Sequence, residues 1–216
     1  MRQLILHIGP GKSGSSALQS WLALNQDALA RLGYGYHVSH PGARALRINA
    51  GNAGPLRELL RKPTFPAAEF ETRYFRGFDH AIVSGEQLQL MDETEARVLL
   101  DWAVRAGVEV TAIGFLRNAY DYLYSTWLQT IKRRNQLKPF AEFVERLSRF
   151  RHLDVVDHWE ALAPARWVHY DTERDRLAEA FCARTGLDAA ALAPMSRQRV
   201  NRSLTMEEAA VLQALV

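Results

Sequence analysis

LILHIGPGKSGSSALQ, residues 4–19, is the stretch that decides the fold of this chain. It begins as an apolar run of strand type, breaks into a turn rich in glycine and serine, and opens a helix. Backbone N–H groups at the start of a helix lack carbonyl partners, and the positive end of the helix dipole lies behind them. Gly11 and Gly14 permit close backbone approach, and Lys12 adds a full positive charge. The stretch therefore predicts a nest of N–H groups that binds phosphate or a similar oxyanion. The plainer alternative is a tight turn with a solvated lysine.

The spacing of the glycines limits which anions the loop could bind. In a Walker A loop the first glycine lies five positions before the second, and that position is here Leu6, inside the strand. The loop is therefore too short to wrap a β-phosphate in the usual way. The hydroxyls of Ser13, Ser15 and Ser16 add donors to the nest.

Length and composition bound the class of protein. A chain of 216 residues, 48% hydrophobic and 24% charged, is expected to form one soluble domain, residues 1–216. A net charge of +3 suits anionic ligands but is too small to favour nucleic acid. The single cysteine, Cys182, leaves no internal disulfide and is expected in the core. No signal peptide or membrane span is recognised, so a cytoplasmic location is expected.

The hydrophobic pattern alternates between strands and helices along the chain. Strands are predicted at 4–8, 78–84, 108–116 and 166–170, and helices at 15–32, 93–105, 119–133, 173–185 and after Thr205. A further helix is predicted before the last strand, and a capping box of Thr205 and Glu208 is predicted to start the last helix. This order predicts an α/β fold, P-loop-like, with three α/β/α layers and a central, mostly parallel sheet. Ligands of such sheets gather at the carboxyl ends of the strands. Residues 9–16, 84–86 and 117–125 are therefore expected to share one site.

Two further segments leave alternatives open. Residues 34–66 are predicted to form a long loop with a short helical patch around 56–61. The loop is either a surface excursion or a source of acceptor contacts from Arg44, Arg47, Asn49 and Asn52. Residues 132–151 are rich in lysine and arginine. They form either a solvated face or a binding surface for a polyanionic acceptor or for the phosphates of a nucleotide.

The loop resembles that of the sulfotransferases that use 3′-phosphoadenosine-5′-phosphosulfate (PAPS). In bacterial members and in the carbohydrate sulfotransferases of animals, a Gly/Pro-rich turn follows the first strand and leads into Lys-[ST]-Gly-[ST]-[ST]. PGKSGSS, residues 10–16, matches that pattern. The resemblance implies that the 5′-phosphosulfate of PAPS is bound by Gly11, Lys12, Ser13, Gly14, Ser15 and Ser16.

The second sulfotransferase hallmark is an arginine at a strand end and a serine eight residues later on the next helix. Arg117 and Ser125 fit this spacing, and the resemblance implies that they hold the 3′-phosphate of PAPS. The planar fork of an arginine suits two phosphate oxygens. The plainer alternatives are an ion pair of Arg117 with Asp121 and a packing role for Ser125.

Glu86 follows the second predicted main strand. In sulfotransferases of the glycosaminoglycan type, a glutamate in this region removes the proton from the acceptor hydroxyl. Other branches use a histidine, and a purely structural Glu86 is a third possibility. Among the histidines, His80 is interpreted as structural, and His7, His37 and His40 have no context that fixes a role.

The resemblance implies transfer of a sulfuryl group from PAPS to a hydroxyl of a saccharide or small-metabolite acceptor, with release of 3′,5′-ADP. Glu86 would accept the proton, Lys12 would stabilise charge on the bridging oxygen, and no metal is expected. Arg202 would close over the nucleotide or merely cap the surface. Because the chain ends inside a predicted helix, the domain is expected to be truncated at its C-terminus.

Two other functions stay open at this point. A P-loop kinase with a shortened loop would require ATP and Mg²⁺. A non-catalytic nucleotide- or anion-binding module would bind 3′,5′-ADP without turnover. The pattern carries no indication of the oligomeric state.

Overall fold

The apolar run near the N-terminus forms the central strand of a five-stranded sheet. The computed structural model describes residues 1–39, 41–45, 51–134, 138–147, 150–196 and 204–214. The strands are β1 (Arg2–Ile8), β2 (Tyr34–Tyr36), β3 (His80–Gly85), β4 (Val108–Leu116) and β5 (Ala165–His169). Their spatial order is β2-β3-β1-β4-β5, and every neighbouring pair is parallel. The predicted α/β class is confirmed.

Helices connect the strands. They are α1 (Ser15–Leu24), α2 (Gln26–Arg31), α3 (Gly54–Leu60), α4 (Ala67–Phe70), α5 (Glu93–Ala106), α6 (Ala119–Arg134), α7 (Phe140–Glu145), α8 (Arg151–Leu162), α9 (Tyr170–Glu173), α10 (Leu177–Thr185) and α11 (Met206–Ala214). A π-helical turn spans Glu71–Phe75, and a 3-10 turn, Glu86–Leu90, follows β3 directly. At the last helix, Thr205 Oγ1 accepts from the N–H of Glu208, and the Glu208 carboxylate accepts from the N–H of Thr205. The predicted capping box is confirmed.

Strand β1 carries side chains into two separate cores because successive side chains of a strand point to opposite faces. Leu4 and Leu6 pack with helices α3, α4, α5 and α8 on one face. Ile5 packs with α1, α2 and α10 on the other. Both faces of the sheet are therefore covered by helices, which gives the three predicted layers. Cys182 is buried in the second core as a free thiol, as expected.

The first predicted helix is interrupted at Asn25. The Asn25 side chain donates to the carbonyls of Trp21 and Ala193, at 3.0 and 3.2 Å, and accepts from the N–H of Ala193 at 2.7 Å. An asparagine that bonds backbone groups competes with the helix ladder. The helix predicted at 173–185 is likewise divided, into α9 and α10. Between the helix predicted at 119–133 and the last strand, the structure has two helices, α7 and α8, where one was predicted.

The prediction for residues 34–66 needs one correction, because the segment contains strand β2. The short helix predicted around 56–61 is confirmed as α3. Asn52 is wrong as an acceptor contact. It is buried, its side chain accepts from the N–H of Ser84 at 2.7 Å and donates to the Ile82 carbonyl at 3.2 Å. It therefore secures the end of β3. Arg44 is exposed and hydrogen-bonds Gln26, while Arg47 and Asn49 lie outside the described residues.

Strand β2 depends on a glycine. A Cβ atom at Gly35 would lie 2.2 Å from the Tyr74 carbonyl oxygen and 2.5 Å from that of Phe75. We expect Gly35→Ala to destabilise the protein by about 1–3 kcal/mol, because backbone must move to admit the methyl group. Urea denaturation measures the change. Gly54→Ala is the matched control, since a Cβ there meets nothing within 4 Å; equal stability of the two variants would contradict the close approach.

Among the helices in the described ranges, none is both long and apolar enough to cross a bilayer.

Candidate anion-binding site

The carboxyl ends of β1 and β4 lie side by side where the topology of the sheet changes direction. After β1 the chain leaves toward β2 at one edge, whereas after β4 it leaves toward β5 at the other. Such a switch point opens a crevice in which α/β proteins bind ligands. Ile8 is level with Gly85 of β3 and with Gly114 of β4. The predicted stretches 9–16, 84–86 and the start of 117–125 therefore meet at one edge of the sheet.

The loop between β1 and α1 contains two residues in the left-handed region. Lys12 has φ 69° and Gly14 has φ 75°. A Cβ at Gly14 would also lie 2.6 Å from Leu177 Cδ1 and 2.9 Å from Tyr170 Cε2. Both the backbone conformation and the lack of space therefore require glycine at this position. Left-handed backbone costs a lysine about 1–2 kcal/mol, and such strain is concentrated at functional sites. Turns of this type direct successive N–H groups into a common concavity.

The three loop serines differ in their surroundings. Ser13 is buried, and its Oγ makes no hydrogen bond among the described residues. Ser15 Oγ donates to the Pro10 carbonyl at 3.1 Å. Ser15 therefore closes the loop, and its hydroxyl proton is already in use, contrary to the expectation of a free donor. Ser16 lies half-buried in the first turn of α1.

Arg117 reaches from the end of β4 to the loop. Its Nη1 donates to the Lys12 carbonyl at 3.4 Å, and its guanidinium lies 5.5 Å from the centre of the Tyr170 ring. The ion-pair partner of Arg117 is Asp171, 3.6 Å from Nε. The alternative pairing with Asp121 is wrong. The guanidinium thus joins the loop, β4 and the segment after β5.

The contacts of Asn118 explain why Asp121 does not pair with Arg117. Its side chain accepts from the N–H of Asp121 at 2.9 Å and donates to the Asp121 carboxylate at 2.6 Å, which caps the start of α6. The backbone N–H of Asn118 donates to Asp171 at 2.8 Å. Asp171 therefore fixes the β4–α6 turn from the side of β5.

Glu86 is exposed at the start of the 3-10 turn that follows β3. The adjacent backbone is tied to the loop, since the N–H of Gly9 donates to the Gly85 carbonyl at 3.5 Å. Gln89 Nε2 also donates to the Gly9 carbonyl, at 2.8 Å. The backbone that carries Glu86 is therefore held beside the start of the loop between β1 and α1.

Ser125 is buried on α6, 6% exposed. It lies three residues after Tyr122 and therefore on the same face of the helix. The Tyr122 ring packs on His152, with 4.0 Å between ring centres, and the backbone of Gly11 and Arg117 lies against His152. That face of α6 is thus directed toward the crevice. Arg202, predicted either to close over the nucleotide or to cap the surface, lies outside the described residues.

Two of the candidate histidines are now assigned to structural positions. His7 is fully buried, its Nδ1 is 2.7 Å from Ser84 Oγ, and burial lowers the pKa of His7 to about 3. His80 stacks on Tyr34 at the start of β3, roughly 16 Å of strand away from Gly85. As interpreted from the sequence, His80 belongs to the structure.

His37 differs because it follows β2 at the carboxyl edge of the sheet. Burial, with Arg73 and Arg76 nearby, lowers the pKa of His37 below its ordinary value. His40 lies outside the described residues.

Asp171, Tyr170 and His152 were missed by the sequence prediction. A signal for His152 exists. It lies three residues before Val155 and seven before Trp159, both buried, so it occupies the apolar stripe of α8. A polar residue on such a stripe is a candidate for a buried functional group. In the part of the chain that the structure describes, no group of three or more His, Cys, Asp or Glu is placed to hold a metal ion.

Comparison with known proteins gives a likeness in fold. No protein-family model and no curated protein sequence matches the chain. One similar solved structure is retinol dehydratase in complex with androsterone and the inactive cofactor PAP, at 13% identity and a TM-score of 0.43. Another is retinol dehydratase in a complex with retinol and PAP, at 12% identity and a TM-score of 0.40. Each alignment covers 99% of this chain but 64% of retinol dehydratase, so this chain spans less than two thirds of that protein. At this low identity and TM-score, the assignment of the site rests on the geometry of this chain alone.

Proposed function

We propose that this chain is a PAPS-dependent sulfotransferase that acts on a hydroxyl of a saccharide or small-metabolite acceptor and releases 3′,5′-ADP. The observation that carries the proposal is the contact between Arg117 and the Lys12 carbonyl, at 3.4 Å. Two features suited to phosphate, on different strands, are adjacent in one crevice. A nucleotide with phosphates on both its 3′ and 5′ oxygens matches that pair.

In this proposal each part of the site holds one part of the donor. The loop, with Gly11, Lys12, Ser13, Gly14 and Ser16, binds the 5′-phosphosulfate, while Ser15 keeps the loop closed through Pro10. Arg117 and Ser125 bind the 3′-phosphate. The role of Arg202, closure over the nucleotide, stays a prediction.

The proposed reaction is an in-line displacement at sulfur. The acceptor oxygen attacks the sulfur atom while Glu86 takes the hydroxyl proton. The bond from sulfur to the bridging oxygen breaks, and its electron pair stays on the 5′-phosphate of 3′,5′-ADP. Lys12 and the loop N–H groups stabilise that charge, a contribution that is usually the largest in such sites. Because a sulfuryl group carries less charge than a phosphoryl group, we expect turnover without Mg²⁺.

The kinase alternative has one observation in its favour. Ser13, directly after Lys12, is buried and its Oγ makes no hydrogen bond among the described residues, and a serine at this position holds Mg²⁺ in P-loop enzymes. The strands beside β1, however, are followed by Glu86 and Arg117, and the aspartate of the crevice, Asp171, follows β5 and pairs with Arg117. The sulfotransferase proposal therefore accounts for more of the site.

Calorimetry of nucleotide binding tests the proposal. We expect 3′,5′-ADP to bind at least about 10-fold more tightly than 5′-ADP or ATP, because each charged phosphate contact contributes about 1.5–3 kcal/mol. Added Mg²⁺ should change nothing. Transfer of radiolabelled sulfate from PAPS to a panel of sugars and small alcohols then identifies an acceptor. Tighter binding of ATP with Mg²⁺ would favour the kinase, and selective 3′,5′-ADP binding without transfer to any acceptor would favour a non-catalytic module.

Arg117→Ala should weaken 3′,5′-ADP binding by about 10- to 100-fold and change 5′-ADP binding little, because only the 3′-phosphate loses its charged partner. Calorimetry measures both affinities. Arg97→Ala is the control, since Arg97 is exposed and pairs with Glu93 on α5. Equal losses for the two nucleotides would remove Arg117 from this role.

A further inference from the structure

His152 lies in the first turn of α8, on the helix face that packs against the rest of the protein. It is 3% exposed. Apolar residues follow it on the same face at helical spacing, namely Val155 and Trp159, which belong to the core beneath the sheet. The position is one at which an apolar side chain would be expected.

The surroundings of the His152 ring belong to the anion site. The Tyr122 ring packs on it, with 4.0 Å between ring centres, and the Phe150 ring lies at 5.4 Å. The backbones of Gly11 and Arg117, from the loop and from the end of β4, lie close enough to the ring to favour its protonated form. Neither ring nitrogen makes a hydrogen bond of ordinary geometry within the described residues. Two buried polar atoms of this kind call for a partner, because each is costly when left unpaired.

The protonation of His152 depends on its burial and on the charged groups around it. Burial lowers the pKa of His152, and the backbones of Gly11 and Arg117 offset part of that effect. The charged side chains on the adjoining elements include Lys12 on the loop, Arg117 with its partner Asp171, and Asp121 on α6, which pairs with Asn118. On α8 itself Asp154 follows His152. An oxyanion placed beside the ring would favour the imidazolium and raise the pKa again.

We propose that His152 is a further anion-binding residue of this site: a ring N–H donates to an oxyanion bound at the loop beside Arg117, and anion binding is coupled to uptake of one proton by the imidazole. The proposal deepens the proposed function and rests on the part of it that assigns an anion to the loop. The proton comes from solvent and is returned when the anion leaves.

The sign of the pH dependence follows from this coupling. The imidazole is more basic with the anion bound than without it. Between the two pKa values, binding takes up a proton, and the affinity falls as the pH rises. The slope is at most 10-fold per pH unit, since one proton is involved. Above the pKa of the bound state the affinity no longer depends on this group.

Calorimetry with inorganic sulfate and with 3′,5′-ADP tests the proposal, from about pH 5.5 to about pH 8, around the ordinary histidine pKa of about 6.5. Sulfate does not titrate in this range, so proton uptake measured in buffers of different ionisation heat belongs to the protein. We expect uptake approaching one proton by the wild type. His152→Phe, which keeps an aromatic ring among Tyr122 and Phe150, should abolish the uptake and weaken sulfate binding by about 10-fold. His152→Gln should keep part of the affinity but lose the pH slope.

His158→Gln is the matched control, because His158 lies on the same helix beside Trp159, with 6.3 Å between ring centres. It should retain the proton uptake of the wild type. NMR titration of the His152 ring signals in the wild-type protein, with and without sulfate, reads the coupling without any substitution. A His152 pKa that sulfate leaves unchanged, or full proton uptake by His152→Phe, would overturn the proposal.

The two proposals fail in different ways. Sulfate-linked protonation of His152, without selectivity for 3′,5′-ADP over 5′-ADP, would support the anion role and contradict the sulfotransferase. Selective 3′,5′-ADP binding with the same pH dependence in wild type and His152→Gln would do the reverse. If neither anion binds, both proposals are wrong.

Discussion

Replacing Lys12 by alanine should lower the rate of sulfuryl transfer by about 10²–10³-fold, the loss that follows removal of one preorganised group facing developing charge. The loop positions Lys12 through its left-handed backbone, φ 69°, and its carbonyl accepts from Arg117. In the proposed function, the ammonium stabilises the negative charge that develops on the bridging oxygen of the donor. Single-turnover transfer from radiolabelled PAPS, with the acceptor found in the screen, measures the loss.

Replacing Lys12 by glycine separates the effect of its charge on transfer from the effect of its backbone strain on stability. Lys12→Gly should lose as much transfer as Lys12→Ala, yet it should raise the free energy of unfolding by about 1 kcal/mol, because glycine adopts a positive φ without the penalty of a Cβ. Arg76 is the control, since it also has a positive φ, 57°, and is exposed after the π-helical turn. Arg76→Gly should gain similar stability and keep full transfer. Normal transfer by Lys12→Gly would contradict the role of the ammonium.

The parts of the fold that could be predicted are those with local signals. β1 contains the segment LILHI, residues 4–8, which is apolar except for His7. The loop after it has a glycine, Gly14, at one of its two left-handed positions. α5 has its own N-cap, Asp92, and ends at Gly107 in the left-handed region. The shared edge of the sheet followed from parallel topology alone, because parallel strands place their carboxyl ends together.

The parts that escaped prediction depend on contacts between distant segments. Sequence proximity favoured Asp121 as the partner of Arg117, but Asn118 engages Asp121, and Asp171 arrives from another strand. β2 has three residues and exists because it pairs with β3. His152 reaches the loop only because α8 packs beneath the sheet. No local pattern records these arrangements.

Glu86→Gln should reduce transfer by about 10²–10⁴-fold, the usual contribution of a general base, while the affinity for 3′,5′-ADP stays within about twofold of the wild type. Glutamine keeps the size of the side chain but cannot take the acceptor proton. Nucleotide affinity is spared because Glu86 adjoins the loop through backbone contacts of its neighbour, Gly85 with Gly9. The same transfer assay and calorimetry measure both quantities.

The control for this substitution is Glu93→Gln. Glu93 is an exposed glutamate on α5 that pairs with Arg97, and its replacement should leave transfer unchanged. A lower transfer rate in both variants would indicate a general effect of lost surface charge rather than a base.

The acidity of the acceptor provides the sharper test of a base. An acceptor with a more acidic hydroxyl needs less help in losing its proton, so the loss caused by Glu86→Gln should shrink as that acidity increases. A loss that is equal for alcohols and phenols would assign Glu86 to acceptor binding instead. Full activity of Glu86→Gln would make His37 the candidate base, since it lies past the carboxyl end of β2 on the same edge of the sheet. His37→Gln would then have to show the loss, and its dependence on acceptor acidity, that Glu86→Gln lacks.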